Sequence, residues 1–150
     1  MRDKPPIRID DSIVYRLWRA ARAQRRHFLR LAARHDIDLT PEQWFVLNKL
    51  RQRDGRNPSE LADAIFADRP NITRLVRGLE RKGLVARRPD PQDGRRQRIH
   101  ITIAGAALHD RFAEIVPRTR AALFAGIDDE LMAALHAGLA RLEANLNDDS

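Results

Sequence analysis

The sequence predicts a mainly α-helical chain of 150 residues with one small β-hairpin. Apolar residues recur at the spacing of an amphipathic helix in both the first and the last part of the chain. Between these parts, a capping residue with a proline close behind it marks three helix starts, at Thr40, Asn57 and Asp68. Strand-like alternation of apolar and polar residues occurs over residues 98–103. Because 43% of the residues are hydrophobic, the chain can bury a core, and we expect residues 1–150 to form a single domain.

A polar arm with two consecutive prolines opens the chain, and we expect residues 1–10 to be extended. The first helix should begin after the capping candidates Asp10, Asp11 and Ser12 and end near Arg34. Its predicted apolar stripe comprises Val14, Leu17, Trp18, Ala21, Phe28 and Ala32. A basic stripe beside it comprises Arg19, Arg22, Arg26 and Arg30. Arg25 falls inside the apolar stripe, where a guanidinium group must find hydrogen-bond partners.

A second helix is predicted to begin after Thr40, because Thr40 and Gln43 form a capping box with Pro41 at the first helical position. Its core contacts should come from Trp44, Val46, Leu47 and Leu50. Trp44 either belongs to the core or stacks on a ligand. Asp54 and Gly55 then form a turn.

Two shorter helices should follow. Asn57, Pro58 and Glu60 begin the first one, which buries Leu61, Ala62 and Ile65 and is over by about Ala67. Asp68 caps the next helix, which ends at Gly83. On a helical wheel its apolar arc contains Ile72, Leu75, Val76 and Leu79. The opposite side carries Pro70, Arg74, Arg77 and Arg81, flanked by Asn71 and Thr73.

The predicted hairpin pairs strands over residues 84–88 and 98–103. Its tip contains Pro89, Pro91 and Gly94 and carries Asp93, Arg95, Arg96 and Arg98. Two helices followed by a hairpin are the arrangement of a winged helix-turn-helix. In that fold the second helix enters the major groove of DNA, and an arginine-bearing wing suits phosphates or a narrow minor groove.

The distribution of charge supports DNA binding. From Arg69 to Arg98 there are ten basic residues and three acidic ones. The excess of seven equals the net charge of +7 of the whole chain, so the remaining residues are neutral on balance. A local basic excess on a neutral protein is typical of a surface that binds a polyanion.

The C-terminal part is predicted to be helical over residues 104–124, with a kink or break at Pro117. Asp128, Asp129 and Glu130 should open a last helix after Gly126. One side of it carries Leu131, Leu135, Leu139, Leu142 and Leu146. So many leucines cannot be buried within two helices, and the first helix has the same problem. We therefore expect both ends of the chain to pack against a second copy, as a homodimer.

The run from Asn71 to Thr102 resembles the central signature of MarR-family transcriptional regulators. The matching segments are Asn71-Ile72-Thr73-Arg74-Leu75-Val76, Leu79-Glu80 with Gly83-Leu84-Val85, Asp93-Gly94-Arg95 and Ile101-Thr102. Two positions depart from the pattern: Phe66 stands in the helix-helix turn, where glycine is common, and Asn71 replaces the usual Ser or Thr. The resemblance implies dimerisation helices over residues 1–38 and 104–150 and a DNA-binding region over residues 40–103.

The predicted function is sequence-specific binding of double-stranded DNA by a homodimeric repressor on an inverted-repeat operator. Asn71, Thr73, Arg74 and Arg77 should approach base edges, and Ser59 and Pro70 should lie at the rim of the groove. Arg95 and Arg96 belong to the wing tip, where the resemblance implies that Asp93 holds the tip arginine. It also implies an effector, often a small aromatic acid or its thioester, bound between the dimerisation helices and the DNA-binding region.

Seven arginines and no acidic residue lie between Arg16 and Arg34. The basic stripe is either solvated and paired with the acidic C-terminal segment, or binds an anionic effector or additional DNA backbone. Arg25 either snorkels, or pairs at a subunit interface, or anchors an acidic ligand. On the ligand hypothesis the binding residues are Trp18, Arg22, Arg25, Arg26 and Trp44.

Other functions find little support. The absence of cysteine excludes disulfides, thiolate metal sites and cysteine-based peroxide sensing. The five histidines lack the spacing of a helical zinc site, and we find no nucleophile elbow and no phosphate loop, so we expect neither an enzyme nor a cofactor. The polar start MRDKPPIRIDD predicts no secretory signal, and with no membrane-spanning run we expect a cytoplasmic protein. The remaining rivals are a ligand-independent architectural DNA-binding protein and a dimeric helical scaffold.

Overall fold

The computed structural model of the protein describes residues 8–148 and confirms a mainly helical fold with one hairpin. A short 3₁₀ turn, Ile9–Asp11, precedes the first helix, so the last residues of the predicted extended arm are not extended, and residues 1–7 of that arm lie outside the described residues. The elements that follow are α1 (Ile13–Arg34), α2 (Pro41–Gln52), α3 (Pro58–Ala64), α4 (Arg69–Arg81), β1 (Val85–Pro89), β2 (Gln97–Ile101), α5 (Ile103–Leu123) and α6 (Asp129–Asp148). Two compact units result, one up to Phe112 and one from Ala113 onward.

Local capping explains where the central helices begin. Thr40 Oγ1 accepts a hydrogen bond from the Gln43 backbone N–H at 3.2 Å, and the Gln43 side chain accepts one from the Thr40 N–H, which confirms the predicted capping box. Asn57 makes the equivalent box at α3, and Asp68 Oδ1 accepts from the Asn71 N–H at 2.8 Å at α4. Ser12 precedes α1 as predicted, but its side chain makes no capping hydrogen bond. Three of the four starts are thus fixed by contacts within four residues.

The core of the first unit joins α2 to the helix-turn-helix, the hairpin and the start of α5. Its most deeply buried side chains are Val46, Leu47, Leu50, Leu61, Ile72, Val76, Leu79, Ile99 and Phe112. The Phe112 ring makes edge contacts with Phe28 and Trp44, each with a centroid separation of 5.0 Å. Trp44 therefore belongs to the core, as one of its two interpretations proposed.

The apolar stripe of α1 is only half packed. Phe28 and Ala32 are buried near its C-terminal end, but Val14 and Trp18 are exposed, Trp18 by 54%. Among the described residues, the apolar side chains in the N-terminal half of α1 are thus at most half-buried. The prediction of a continuous buried stripe is correct for the second half alone.

The two strands pair antiparallel, with Val85 opposite Ile101 and Pro89 opposite Gln97. The second strand is shorter than predicted because Thr102 leaves it to cap α5. Thr102 Oγ1 donates to the Gly83 carbonyl at 2.7 Å and accepts from the Gly105 N–H at 3.0 Å. Ile103, predicted as the last strand residue, is instead the first residue of α5 and is 92% exposed.

In the second unit α5 continues past Pro117 to Leu123, so the helix does not break there. Asp128 Oδ1 accepts from the Leu131 N–H at 2.8 Å and caps α6, as the acidic cluster at this position predicts. The described side chains of α6 include no buried one, and its leucines are exposed. No helix within residues 8–148 is both long and apolar enough to cross a membrane.

Candidate nucleic-acid interface

Helix α4 has one buried side and one basic side, as the helical wheel predicts. Ile72, Val76 and Leu79 are buried against the first unit, and Leu75 is half-buried. On the other side Pro70, Arg74, Arg77 and Arg81 are exposed, with Asn71 and Thr73 half-buried beside them. Arg74 donates to Asn71 Oδ1 at 3.2 Å, and no carboxylate within residues 8–148 forms an ion pair with Arg74 or Arg77. Planar, unneutralised guanidinium groups of this kind suit bidentate hydrogen bonding to guanine edges.

The turn before α4 closes without the glycine that is common there in the similar family. Phe66 itself adopts the left-handed conformation, with φ of +53°, and its side chain is 67% exposed. The Ala67 N–H returns to the Ala62 carbonyl at 2.9 Å and completes the turn. The helix-turn-helix geometry is therefore kept, and the strain is carried by an aromatic residue.

The back of α4 is held by the start of α2. A Cβ atom at Gly78 would lie 2.9 Å from Gln43 Nε2, so glycine leaves room for the Gln43 amide against α4. Lys82 Nζ donates to Gln43 Oε1 at 3.1 Å and to the Asp38 carbonyl at 2.6 Å, and it pairs with Asp38 Oδ2 at 3.0 Å. Lys82 belongs to the basic run of the sequence but is used to position α4.

At the wing tip Asp93 organises a tight turn. Its Oδ1 accepts from the Arg95 backbone N–H at 3.1 Å, its carbonyl accepts from the Arg96 N–H at 2.9 Å, and its Oδ2 pairs with Arg96 Nε at 3.3 Å. Asp93 thus holds the backbone of Arg95 and the side chain of Arg96. The Arg95 side chain is exposed, and none of the described residues pairs with it.

Arg98, which the sequence assigned to the tip, lies in β2 opposite Arg88, and its side chain is directed toward the turn after α2. It donates to Asp90 Oδ2 at 2.7 Å and to the Gly55 carbonyl at 2.9 Å. Hydrogen bonds from the Gln92 N–H and from Arg98 hold the pKa of Asp90 below its usual value, against a weaker opposing effect of burial. Arg98 therefore ties the wing to the turn after α2 and is not available at the tip.

A second link joins the same turn to β2. Asp54 Oδ1 accepts from the Ile101 N–H and its Oδ2 contacts His100 Nδ1, both at 2.8 Å. Partial burial by itself would raise the pKa of Asp54. The hydrogen bonds from Ile101 and His100 outweigh this effect and hold the pKa below its usual value. Gly55 has φ of +68°, and a Cβ atom there would lie 2.9 Å from the imidazole. The wing is thus anchored at two points of one short turn.

The candidate ligand residues do not meet in one site. Trp44 stacks in the core on His109, with centroids 4.5 Å apart, while Trp18 is exposed and stacks on Tyr15. Arg22 lies over the Trp18 ring at 4.9 Å, and Arg26 lines a separate recess on α1. The five residues predicted to bind a ligand therefore lie in different places within the chain.

Arg25 is not buried as predicted from its position on the wheel; its side chain is about half exposed and forms an ion pair with Glu42 of the same chain. Both residues line a recess of about 400 Å³ that Asn71 and Arg74 of α4 also line. Partial burial would raise the pKa of Glu42, but hydrogen bonds, first from Arg25, lower it overall. This recess is where the first helix and the basic side of α4 come together.

A buried polar network between α2 and α5 was not evident from the sequence. His109 is buried; its Nε2 contacts Asn48 Nδ2 at 3.1 Å and its Nδ1 contacts Asp110 Oδ1 at 3.0 Å. Arg51 makes two hydrogen bonds to Asp110, and Gln52 donates to Asn48 Oδ1. Since the Asn48 amide N–H donates to Nε2, Nε2 is the acceptor and Nδ1 carries the N–H that is directed at Asp110. The network holds the first part of α5 against α2.

Comparison with known proteins agrees with this geometry. A family model described as the MarR family matches residues 39–96. The transcriptional repressor CouR, solved with a 23-mer DNA duplex, is 30% identical and has a TM-score of 0.81, with 90% of this chain and 94% of that chain covered. MepR of S. aureus in its DNA complex is 26% identical, with a TM-score of 0.78 and coverage of 91% and 98%. PcaV of Streptomyces coelicolor in complex with its natural ligand is 25% identical, with a TM-score of 0.79 and coverage of 94% and 98%.

Proposed function

The chain belongs to the MarR family of DNA-binding transcriptional regulators, and on that basis we propose that it is a homodimeric repressor of an inverted-repeat operator. It is a regulator and not an enzyme. It acts in the cytoplasm, on DNA. A small anionic aromatic acid or its thioester releases it from the operator.

The observation that carries the proposal is the unneutralised basic side of α4. Arg74 and Arg77 read guanine edges in the major groove, where each bidentate contact discriminates against a wrong base by about 1–3 kcal/mol. Asn71 and Thr73, half-buried beside them, contact neighbouring edges. Because the opposite side of α4 is buried, these four side chains enter the groove as a rigid set.

The wing and the rim of the helix-turn-helix position the protein on the duplex. Arg95 and Arg96 contact phosphates or the minor groove, and Asp93 keeps the tip turn closed while they do so. Ser59 and Pro70, both exposed, lie at the groove rim. Contacts of this kind fix the register of the protein without specifying bases.

The proposed dimer buries apolar surface that neither unit covers by itself. On α6 the exposed leucines include Leu131, Leu135, Leu139 and Leu142, and on α1 the exposed apolar residues include Ile13, Val14 and Trp18. A homodimer places two α4 helices in successive major grooves, with half-site centres about 34 Å apart.

The effector is proposed to engage Arg25, because this guanidinium lies in the recess shared with Asn71 and Arg74. An anion there must displace the Glu42 carboxylate, and Arg74 would then be drawn from the DNA. To convert a mostly competent population into a mostly incompetent one, the ligand must prefer the second form by about 10⁴-fold, about 5.5 kcal/mol. A tight ligand or a finely balanced equilibrium without ligand is therefore required.

The first experiment selects operators from a random DNA pool with the wild-type protein and measures its mass by sedimentation. We expect enrichment of an inverted repeat and a dimer at micromolar concentration. Leu135→Glu with Leu139→Glu should give a monomer with weak operator binding. The matched control is Ala137→Glu with Ala144→Glu, which adds the same charge to the opposite side of α6. A wild-type monomer that still selects an inverted repeat would contradict the proposal.

The second experiment screens aromatic acids and their thioesters for release of the selected DNA and measures binding by calorimetry. Arg25→Ala should abolish binding of a releasing ligand, whereas Glu42→Gln should strengthen it, because it removes the competing carboxylate. Arg22→Ala and Arg26→Ala test the remaining basic stripe. If all four variants bound the ligand as tightly as wild type, the proposal that arginines of α1 bind the ligand would be wrong. DNA binding that no ligand releases would favour the architectural rival.

A further inference from the structure

An open cleft of about 410 Å³ lies between the helix-turn-helix and the wing, and no carboxylate among residues 8–148 lines it. Its lining residues are Asn57, Pro58, Ser59, Arg69, Arg96 and Gln97. Two guanidinium groups, one hydroxyl group and two carboxamides therefore share one recess, and all of these groups are hydrogen-bond donors. Arg69 and Gln97 were not among the DNA-binding residues predicted from the sequence.

The cleft differs from two other recesses of the first unit that contain arginine. The recess between the wing and the turn after α2 includes Asp54 and Asp90, and the recess beside α4 includes Glu42, so one arginine in each, Arg98 and Arg25, is already paired with a carboxylate. In the cleft, no acidic residue within 8–148 pairs with Arg69. Arg96 pairs with exposed Asp93 at 3.3 Å. The cleft thus collects hydrogen-bond donors and positive charge without a carboxylate of its own.

The position of the cleft indicates what fills it. With α4 in a major groove and the wing tip at the adjacent minor groove, one sugar–phosphate strand must pass between the two elements. The cleft lies between Arg69 at the start of α4 and Arg96 beside the wing tip, which is the place where that strand crosses.

We propose that this cleft is the seat of one backbone phosphodiester of the operator. Arg69 and Arg96 bind its non-bridging oxygens from opposite walls, and Ser59 and Gln97 donate the remaining hydrogen bonds. The inference rests on the proposed contact of α4 and the wing with DNA. Arg69 of the helix-turn-helix and Arg96 of the wing would then contact the same phosphate. This phosphate therefore sets the spacing between the two elements.

The first test compares wild type, Arg69→Gln, Arg96→Gln and the double variant on the duplex selected by the wild-type protein. Each released phosphate contact lowers the salt dependence by about 0.9 log unit per log unit of salt. Between 50 and 200 mM salt, the double variant should therefore lose less affinity than wild type, by about 3.5-fold per cleft or about 12-fold for a dimer. Arg141→Gln on α6, an exposed position, carries the same charge change outside the cleft and should keep the wild-type slope.

The second test places a methylphosphonate at each backbone position of one half-site in turn. At one position, the methylphosphonate should lower the affinity of wild type for the DNA. It should not lower the affinity of the double variant further, because the substitution in the protein and the change in the DNA remove the same contact. Base preference should be the same for all variants. Inorganic phosphate should displace DNA no better than chloride at equal ionic strength; specific displacement would assign the cleft to a free phosphate.

Two outcomes separate this inference from the proposed function. Suppose that the wild-type protein selects an inverted repeat, but at every position the affinity loss from the methylphosphonate adds to the loss from the double variant. The cleft is then not a phosphate-binding site, and the repressor proposal stands. If the wild-type protein selects no sequence at all, the proposed function itself fails.

Discussion

The backbone at Phe66 offers a test of how the helix-turn-helix is built. An L-residue in the left-handed region costs about 1–2 kcal/mol, and Phe66→Gly should remove that cost. Glycine also loses more conformational freedom on folding than phenylalanine, which lowers the stability by about 0.5–1 kcal/mol. Because two thirds of the Phe66 side chain is exposed, about one third of the 1.5–3 kcal/mol of a fully buried phenylalanine is also lost. The three contributions nearly cancel, so the free energy of unfolding of the variant should lie within about 1 kcal/mol of the wild-type value.

Phe45 provides the matched control, because it is 47% exposed and lies in the middle of α2. There glycine relieves no strain and weakens the helix, so Phe45→Gly should cost about 2 kcal/mol. Urea denaturation of the three proteins at one concentration measures the difference. Equal costs at the two positions would refute the reasoning and would mean that the Phe66 side chain makes stabilising contacts in the folded assembly.

Three further predictions concern the basic surface and the contacts that support it. Arg74→Ala should cost about 1–3 kcal/mol of specific affinity and relax base preference in a competition assay, whereas Arg95→Ala should weaken binding with base preference unchanged; reversed effects would exchange the two roles. Partial burial opposes the shift, but hydrogen bonds hold the pKa of Asp54 below its usual value of 3.8. Its contribution to stability is therefore present above pH 3.8 and lost as the pH falls through the lower folded value. Asp54→Asn should accordingly lose less stability than wild type in urea titrations between pH 5 and about pH 3, and an equal loss would contradict this. His109→Phe keeps a ring against the core but leaves the Asn48 amide without its partner, which should cost about 1–3 kcal/mol in thermal unfolding; a neutral result would show that water satisfies that amide.

The helix starts and the amphipathic pattern of α4 could be predicted because they depend on neighbours. Each cap joins residues three positions apart, and the two sides of α4 follow from a rotation of 100° per residue. The same reasoning failed where a residue could serve two elements. Thr102 continues the strand pattern, but its hydroxyl group caps α5, and the helix therefore takes Ile103.

The five predicted ligand residues are not brought together within one chain, and the reason for that is different. Trp18, Arg25 and Trp44 share apolar patterning, but a wheel for one helix does not show which neighbour packs against it. The structure buries Trp44 on His109, leaves Trp18 exposed, and pairs Arg25 with Glu42 of the next helix. Glu42 in the first turn of α2 was visible in the sequence, but its partner 17 residues away was not.

The sequence by itself determined the helix-turn-helix, the wing and the concentration of positive charge on them, because caps, periodicity and composition are local properties. Only the tertiary structure decided which of those cations are engaged by acceptors within the chain. Lys82 is engaged by Gln43, 39 residues away, and Arg98 by the Gly55 carbonyl, 43 residues away. Arg77 and Arg95 pair with no carboxylate in the part of the chain that the structure describes. All four contribute one positive charge to the sequence, and their roles differ because folding brings an acceptor to two of them and leaves the other two facing solvent.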